Sequence, residues 1–279
     1  MKFRIALVTL IGAGLAFPQL PVPPSLSFQS LNGVGRVHGI NVANTIVGNT
    51  RGGDGDAGFI LQNGQLTKIA IPDSAQTFIN GVEDNDRIVG AYTKNDFGGR
   101  HGFLYFHGDV TTIDYPGSTS TTAHGINNGH RVVGEHKDTA GVTHGFLWDN
   151  GKFTQIDVPG ATSTVPEDLS NSDNVVGHYS MGDHEHGFLS DNKGVITTLD
   201  VPFTDATDTY LYGINSSGTI VGSYIDSAGT HGFVYQKGTF VPFDAPGTPP
   251  SVGTFPHSIS NSGQIVVFGS TAFLATLTQ

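Results

Sequence analysis

The chain has 279 residues, 39 of them glycine, 14 proline and none cysteine, and a net charge of −11. The missing cysteines exclude a disulfide framework and a thiol nucleophile. An acidic chain with no Lys/Arg cluster argues against nucleic acid or an anionic membrane as partner, and 13% charged residues is too few for a disordered chain.

Met1–Ala16 reads as a signal peptide. Lys2 and Arg4 precede an apolar run, Ile5–Leu15, and Gly14 and Ala16 are the small residues a signal peptidase reads. The run is shorter than the roughly 20 residues a membrane span needs. The expectation is a secreted or periplasmic protein with no membrane span in its mature chain. Residues 17–25, rich in proline, should form an extended linker, and residues 26–279 the folded domain.

From residue 39 onward one pattern returns six times: GINVANTIVG (39–48), GVEDNDRIVG (81–90), GINNGHRVVG (125–134), DLSNSDNVVG (168–177), GINSSGTIVG (213–222) and SISNSGQIVV (258–267). Successive copies begin 42 to 45 residues apart. Each continues through a polar loop into a hairpin, best seen in His144–Asp157, HGFLWDNGKFTQID. Asn150-Gly151 is a strong signal for a two-residue type I′ turn, and folding about it sets His144 opposite Asp157. The same arrangement places His101 opposite Asp114, His186 opposite Asp200 and His231 opposite Asp244. The first copy has Ala57 and Ala70 at both positions. A donor and acceptor kept or lost together behave as a buried structural pair rather than as four catalytic dyads. One phenylalanine per unit (Phe59, Phe103, Phe146, Phe188, Phe233, Phe273) should face the neighbouring unit in the core.

Each unit holds about four strands; in the third they are expected at 122–127, 131–137, 143–149 and 152–158. No stretch has helical periodicity. Four-stranded units of about 40–45 residues point to an all-β, six-bladed β-propeller. The last unit stops after its third strand, and Leu26–Asn32 matches the missing fourth. An N-terminal strand completing the last blade would close the ring and remove exposed edges.

The motifs GINxxGxIVGxY and HGFLxxxGxFTxIDxPG resemble those of the HAF-type extracellular repeat family of bacteria, over nearly the whole mature chain. The resemblance implies a repeat fold and export; it brings no established activity and no catalytic residues. The first unit departs from the pattern by lacking His and Asp, the last by having Thr271 in place of His.

Function is better sought where the repeats differ. The residue before each GIN motif is His38, Asn80, His124, Glu167, Tyr212 and His257, preceded each time by an apolar residue. If the ring closes, these six side chains should converge at the mouth of a wide channel. Three imidazoles and a carboxylate could hold a divalent metal with a position left open for water. Alternatively Glu167 and a histidine could form a proton-transfer pair. The plain alternative is hydrogen bonding to the backbone at blade starts. Asp168 replaces the motif glycine, and the adjoining stretch 202–213 carries Asp205, Asp208, Tyr210 and Tyr212, a chemistry that suits a polyhydroxylated ligand. Glu135 and His178 are second-tier candidates. GGDGDAG (52–58) hints at calcium but lacks the spaced oxygen ligands of a dedicated loop. No nucleophile-elbow, zincin, P-loop or dinucleotide motif is present. The reading is therefore an exported binding or scaffold protein, expected to be a monomer. Its partner would be an extracellular small molecule, a polysaccharide or another exported protein. The competing reading is a hydrolase or lyase acting on a carbohydrate or lactone at the axis.

Overall fold

The structure, a computed structural model, describes residues 25–50, 57–94 and 98–278. The expected leader, most of the expected linker, and Gly52–Asp56 of the candidate calcium loop lie outside the described residues. Ser25, expected to end the linker, instead opens the first strand.

Among the described residues, twenty-four strands form six antiparallel four-stranded sheets. Five blades are consecutive in the chain: residues 36–69, 76–113, 120–156, 163–198 and 208–243. The third consists of β10 (Ser120–Ile126), β11 (Val132–Lys137), β12 (Thr143–Asp149) and β13 (Lys152–Ile156). The sixth is built from β22 (Phe255–Ile259), β23 (Gln264–Phe268) and β24 (Ala272–Thr278), with β1 (Ser25–Ser30) added outside β24. The two ends pair in register from Ser25 against Thr278 to Ser30 against Phe273. The chain is a six-bladed β-propeller closed by its N-terminal strand.

The turns explain the hairpin register. Asn63, His107, Asn150 and Lys237 have φ of 47–52°, each followed by a glycine at positive φ. Two successive left-handed residues are what a type I′ turn requires. The pairs are in contact, including that of the fourth blade, whose loop is longer: Nδ1 of His101, His144, His186 and His231 lies 2.8–2.9 Å from the carboxylate of Asp114, Asp157, Asp200 and Asp244. They are not buried as expected. The hairpin ends face solvent there, and each aspartate side chain is 35–41% exposed.

The repeated glycine and phenylalanine form one device. Gly134 sits opposite Phe146, and a Cβ on Gly134 would lie 2.9 Å from the Phe146 ring. The same close approach recurs for Gly48 and Phe59, Gly177 and Phe188, and Gly222 and Phe233. These rings are fully buried and pack between blades: Phe146 meets Val89 and Ile113 of the second blade as well as Val132 of its own. Blade-to-blade contact therefore stabilises the ring, each buried ring contributing about 3 kcal/mol relative to an exposed one.

Candidate functional site

All six residues singled out from the sequence are the extra residue of a β-bulge. In β10 the pairing with β11 skips from Ala123 to Gly125, leaving His124 unpaired. The innermost strands of the other blades skip His38, Asn80, Glu167, Tyr212 and His257 in the same way. A bulge bends its strand and re-aims one side chain. Here it allows the preceding apolar residue to stay in the core while its neighbour turns to the axis. Val37, Ile79, Ala123 and Leu211 are fully buried beside these bulges.

The six side chains line one axial cavity of ≈ 100 Å³. Their depth differs from the expectation. They sit mid-channel because each inner strand begins several residues before the repeated motif, so the bulge falls in its interior. The channel is also narrow. A Cβ on Gly125 would lie 2.7 Å from Asp168 Cα, and one on Gly81 2.6 Å from the His124 carbonyl oxygen. The motif glycine lets neighbouring inner strands touch, which a larger residue at that point would prevent.

Around this girdle the contacts are asymmetric. His124 Nδ1 is 3.4 Å from Glu167, and His178 Nδ1 is 3.6 Å from the other oxygen of the same carboxyl group. Across the axis the His38 and His257 rings are 4.9 Å apart, and Tyr212 is 5.3 Å from His257. Ser223 donates a hydrogen bond of 3.3 Å to the Tyr212 hydroxyl, and the Asn80 amide donates to the Ala123 carbonyl of the next blade.

Burial makes the site neutral. It pushes the Glu167 carboxyl up to about 8, with Glu135 and Asp168 adding repulsion. Burial holds His38, His124 and His178 at about 4, and His257 well below the ordinary imidazole range. Arg36 works in the same direction on His38 and His257, and Arg100 on His124. At pH 7 the girdle is a protonated carboxyl among neutral imidazoles, a phenol and an amide. His124 Nε2 is buried and has no partner. The arrangement can donate and accept hydrogen bonds, and Glu167 can pass a proton to or from a bound group.

The other sequence candidates fare differently. Asp168 lines the cavity, but its carboxylate accepts the Leu169 and Ile214 amides at 2.8 and 3.0 Å, so it ties the fourth blade to the fifth. Those amides oppose the burial that raises it to about 7. Tyr210 stacks on Tyr212 at 6.0 Å, one layer from the girdle, rather than joining it. Asp208 does not reach the axis: it accepts the Glu185 amide at 2.9 Å. The metal site is not formed, since no group of three His, Cys, Asp or Glu among the described residues could hold an ion. The imidazoles are divided between opposite walls, His124 and His178 against Glu167, His38 and His257 against each other.

Sequence reasoning missed the ring that bounds the cavity at the C-terminal ends of the inner strands. Asp84 accepts the Val42 amide, Asn128 the Asp84 amide, Asn171 the Asn128 amide and Asn261 the Ser216 amide, each at 2.8–3.1 Å. Each residue immediately follows a GIN-type triplet, so it read as repeated turn scaffold.

No family model matches the chain, and no curated protein does. Solved structures do match. A TolB candidate from Agrobacterium tumefaciens is 12% identical, with 92% of each chain covered and a TM-score of 0.60. A streptogramin B lyase is 12% identical, covering 91% of this chain and 98% of its own, with a TM-score of 0.51. A gluconolactonase from Xanthomonas campestris is 11% identical, covering 87% and 86%, with a TM-score of 0.51. At such identities the likeness establishes the propeller and nothing about activity. Among the described residues no helix is long and apolar enough to cross a membrane.

Proposed function

We propose that this chain is an exported propeller of the HAF-type repeat kind, and that it binds a small polar ligand, best a sugar, at its axis. One observation carries the reading. Six bulges, one per blade, aim six chemically varied side chains into one cavity. A purely structural position would repeat one residue; a site for an asymmetric ligand needs variety. Neutral imidazoles, a protonated carboxyl, a phenol and an amide match the paired donors and acceptors of sugar hydroxyls. The cavity of ≈ 100 Å³ is smaller than the ~150 Å³ void that takes benzene, so one edge of a sugar enters while the rest stays in the channel.

A second reading, a hydrolase or lyase acting on a carbohydrate or lactone, is favoured by one feature. Glu167 retains its proton at neutral pH with His124 in contact, as a general acid requires. Ligand-observed NMR with a panel of mono- and disaccharides tests the first reading. Binding should be seen for at least one sugar and be lost in a Glu167→Gln/His257→Ala protein of unchanged fold. Failure of every sugar, or binding indifferent to those substitutions, would overturn it. Turnover of a glycoside or lactone by wild-type protein, abolished by Glu167→Gln, would establish the second.

A further inference from the structure

On the side of the girdle toward the N-terminal ends of the inner strands, outside the cavity of ≈ 100 Å³, the chemistry changes. Two residues before each bulge residue stand Arg36, Phe78, Thr122, Val165, Tyr210 and Phe255. The strand alternation puts this layer on the same side as the girdle. Tyr210 stacks over Tyr212 and Phe255 over His257, at 6.0 and 6.3 Å. Phe78, Tyr210 and Phe255 are only partly buried.

Two arginines share this layer. The Arg100 guanidinium lies 4.7 Å from the Phe78 ring centroid, and that of Arg36 lies 5.5 Å from Phe268. Arg100 belongs to the second blade but is fastened to the third, its amide donating to Ser120 Oγ and its carbonyl accepting the Thr121 amide. Among the described residues, Arg87 and Arg131 are in ion pairs, whereas Arg36 and Arg100 have no carboxylate within that distance. Arg100 also acts on Glu135, whose carboxyl burial raises against the pull of Lys137 and Arg100. Both arginines are exposed at the residue level. In a chain with 24 acidic and 13 basic residues, two guanidinium groups that lie on aromatic faces with no ion pair among the described residues are out of keeping with the rest of the molecule.

We propose that the sugar bound at the axis is an acidic one, a uronate, whose carboxylate is taken by Arg36 and Arg100 while its ring lies against Phe78, Tyr210 and Phe255. The proposal rests on the axial sugar-binding reading and names its substrate class. A guanidinium already stacked on a ring is pre-ordered and presents its planar edge, the geometry that matches a carboxylate bidentately. Aromatic faces suit the C–H face of a pyranose, and the girdle beyond supplies partners for its hydroxyls. The alternative anion, an acidic peptide, offers carboxylates but no ring of hydroxyls for a neutral girdle to bind.

The test is isothermal titration of galacturonate and glucuronate oligomers against galactose and glucose oligomers of equal length. Uronates should bind at least tenfold more tightly than neutral sugars at low salt, and the margin should shrink with added salt. Arg36→Gln and Arg100→Gln should each weaken uronate binding about tenfold and leave neutral-sugar binding unchanged. Equal affinity for neutral and acidic sugars, or uronate binding unaffected by both substitutions, would overturn this proposal and leave axial sugar binding standing. Binding of a glutamate oligopeptide as tight as the uronate would also overturn it. If no sugar of either kind binds, the axial reading itself fails. Circular dichroism of each variant separates loss of binding from loss of fold.

Discussion

Truncating Phe28 to alanine should loosen the closure of the ring. Phe28 sits in β1 opposite Ala275, with its ring 5.9 Å from Phe243 and 6.1 Å from Phe273. Through these it joins the cluster formed by Val234, Ala245, Ile265 and Ala275. Phe→Ala in a full core costs about 3–5 kcal/mol. Phe28 is partly exposed, so about half of that is expected, with up to ~1 kcal/mol more from the lost edge-to-face pair. A total of about 2–3 kcal/mol corresponds to a fall in Tm of roughly 4–12 °C for a domain of this size. Leu66 occupies the equivalent place on the outer strand of the first blade and is 37% exposed, so Leu66→Ala should cost under about 1 kcal/mol. Thermal melts followed by circular dichroism compare the two. A Phe28→Ala protein that melts with the wild type, or with Leu66→Ala, would show that β1 does not hold the ring shut.

In a double-mutant cycle on His231 and Asp244, the paired change recreates the Ala57–Ala70 arrangement of the first blade. It should cost about 1 kcal/mol less than the two single changes together, and strict additivity would refute the coupling. His136 is buried between Tyr115 and His144 with both ring nitrogens unpartnered, where other blades have Tyr92, Tyr179 and Tyr224. Burial holds its pKa below the ordinary imidazole value, so its contribution is complete above about pH 6.5 and is lost as pH falls. His136→Tyr should therefore raise Tm by a few degrees and flatten its decline between pH 7 and 5; an unchanged acid limb would contradict this. Glu167 has the opposite sign. Its carboxyl keeps a proton the unfolded chain has released, so stability is lost as pH rises from the carboxylate range to about 8. Glu167→Gln should flatten that alkaline limb, measured as Tm between pH 5 and 8.

The propeller was legible because repetition shows each structural rule at least four times. Type I′ turns, the glycine opposite five of the six phenylalanines and the paired His and Asp all appear as fixed spacings. Site membership was legible for the same reason: His38 and Glu167 are equivalent by position although nothing local links them. Their depth was not, because a bulge leaves no mark in a sequence and inner strands extend upstream of the repeated motif. The wide channel was overestimated because the motif glycine read as turn chemistry rather than as contact between neighbouring strands. Arg100 escaped notice because it precedes the third strand of its blade and comes to the inner strand only by the length of its side chain over Phe78.

The most direct test of the axial site is a crystal structure with the tightest-binding sugar from the panel. The account predicts sugar density in the axial channel, with hydroxyls within hydrogen-bond distance of His124, Glu167, Tyr212 and His257. Sugar density on the outer faces of the blades, with only water at the axis, would contradict it.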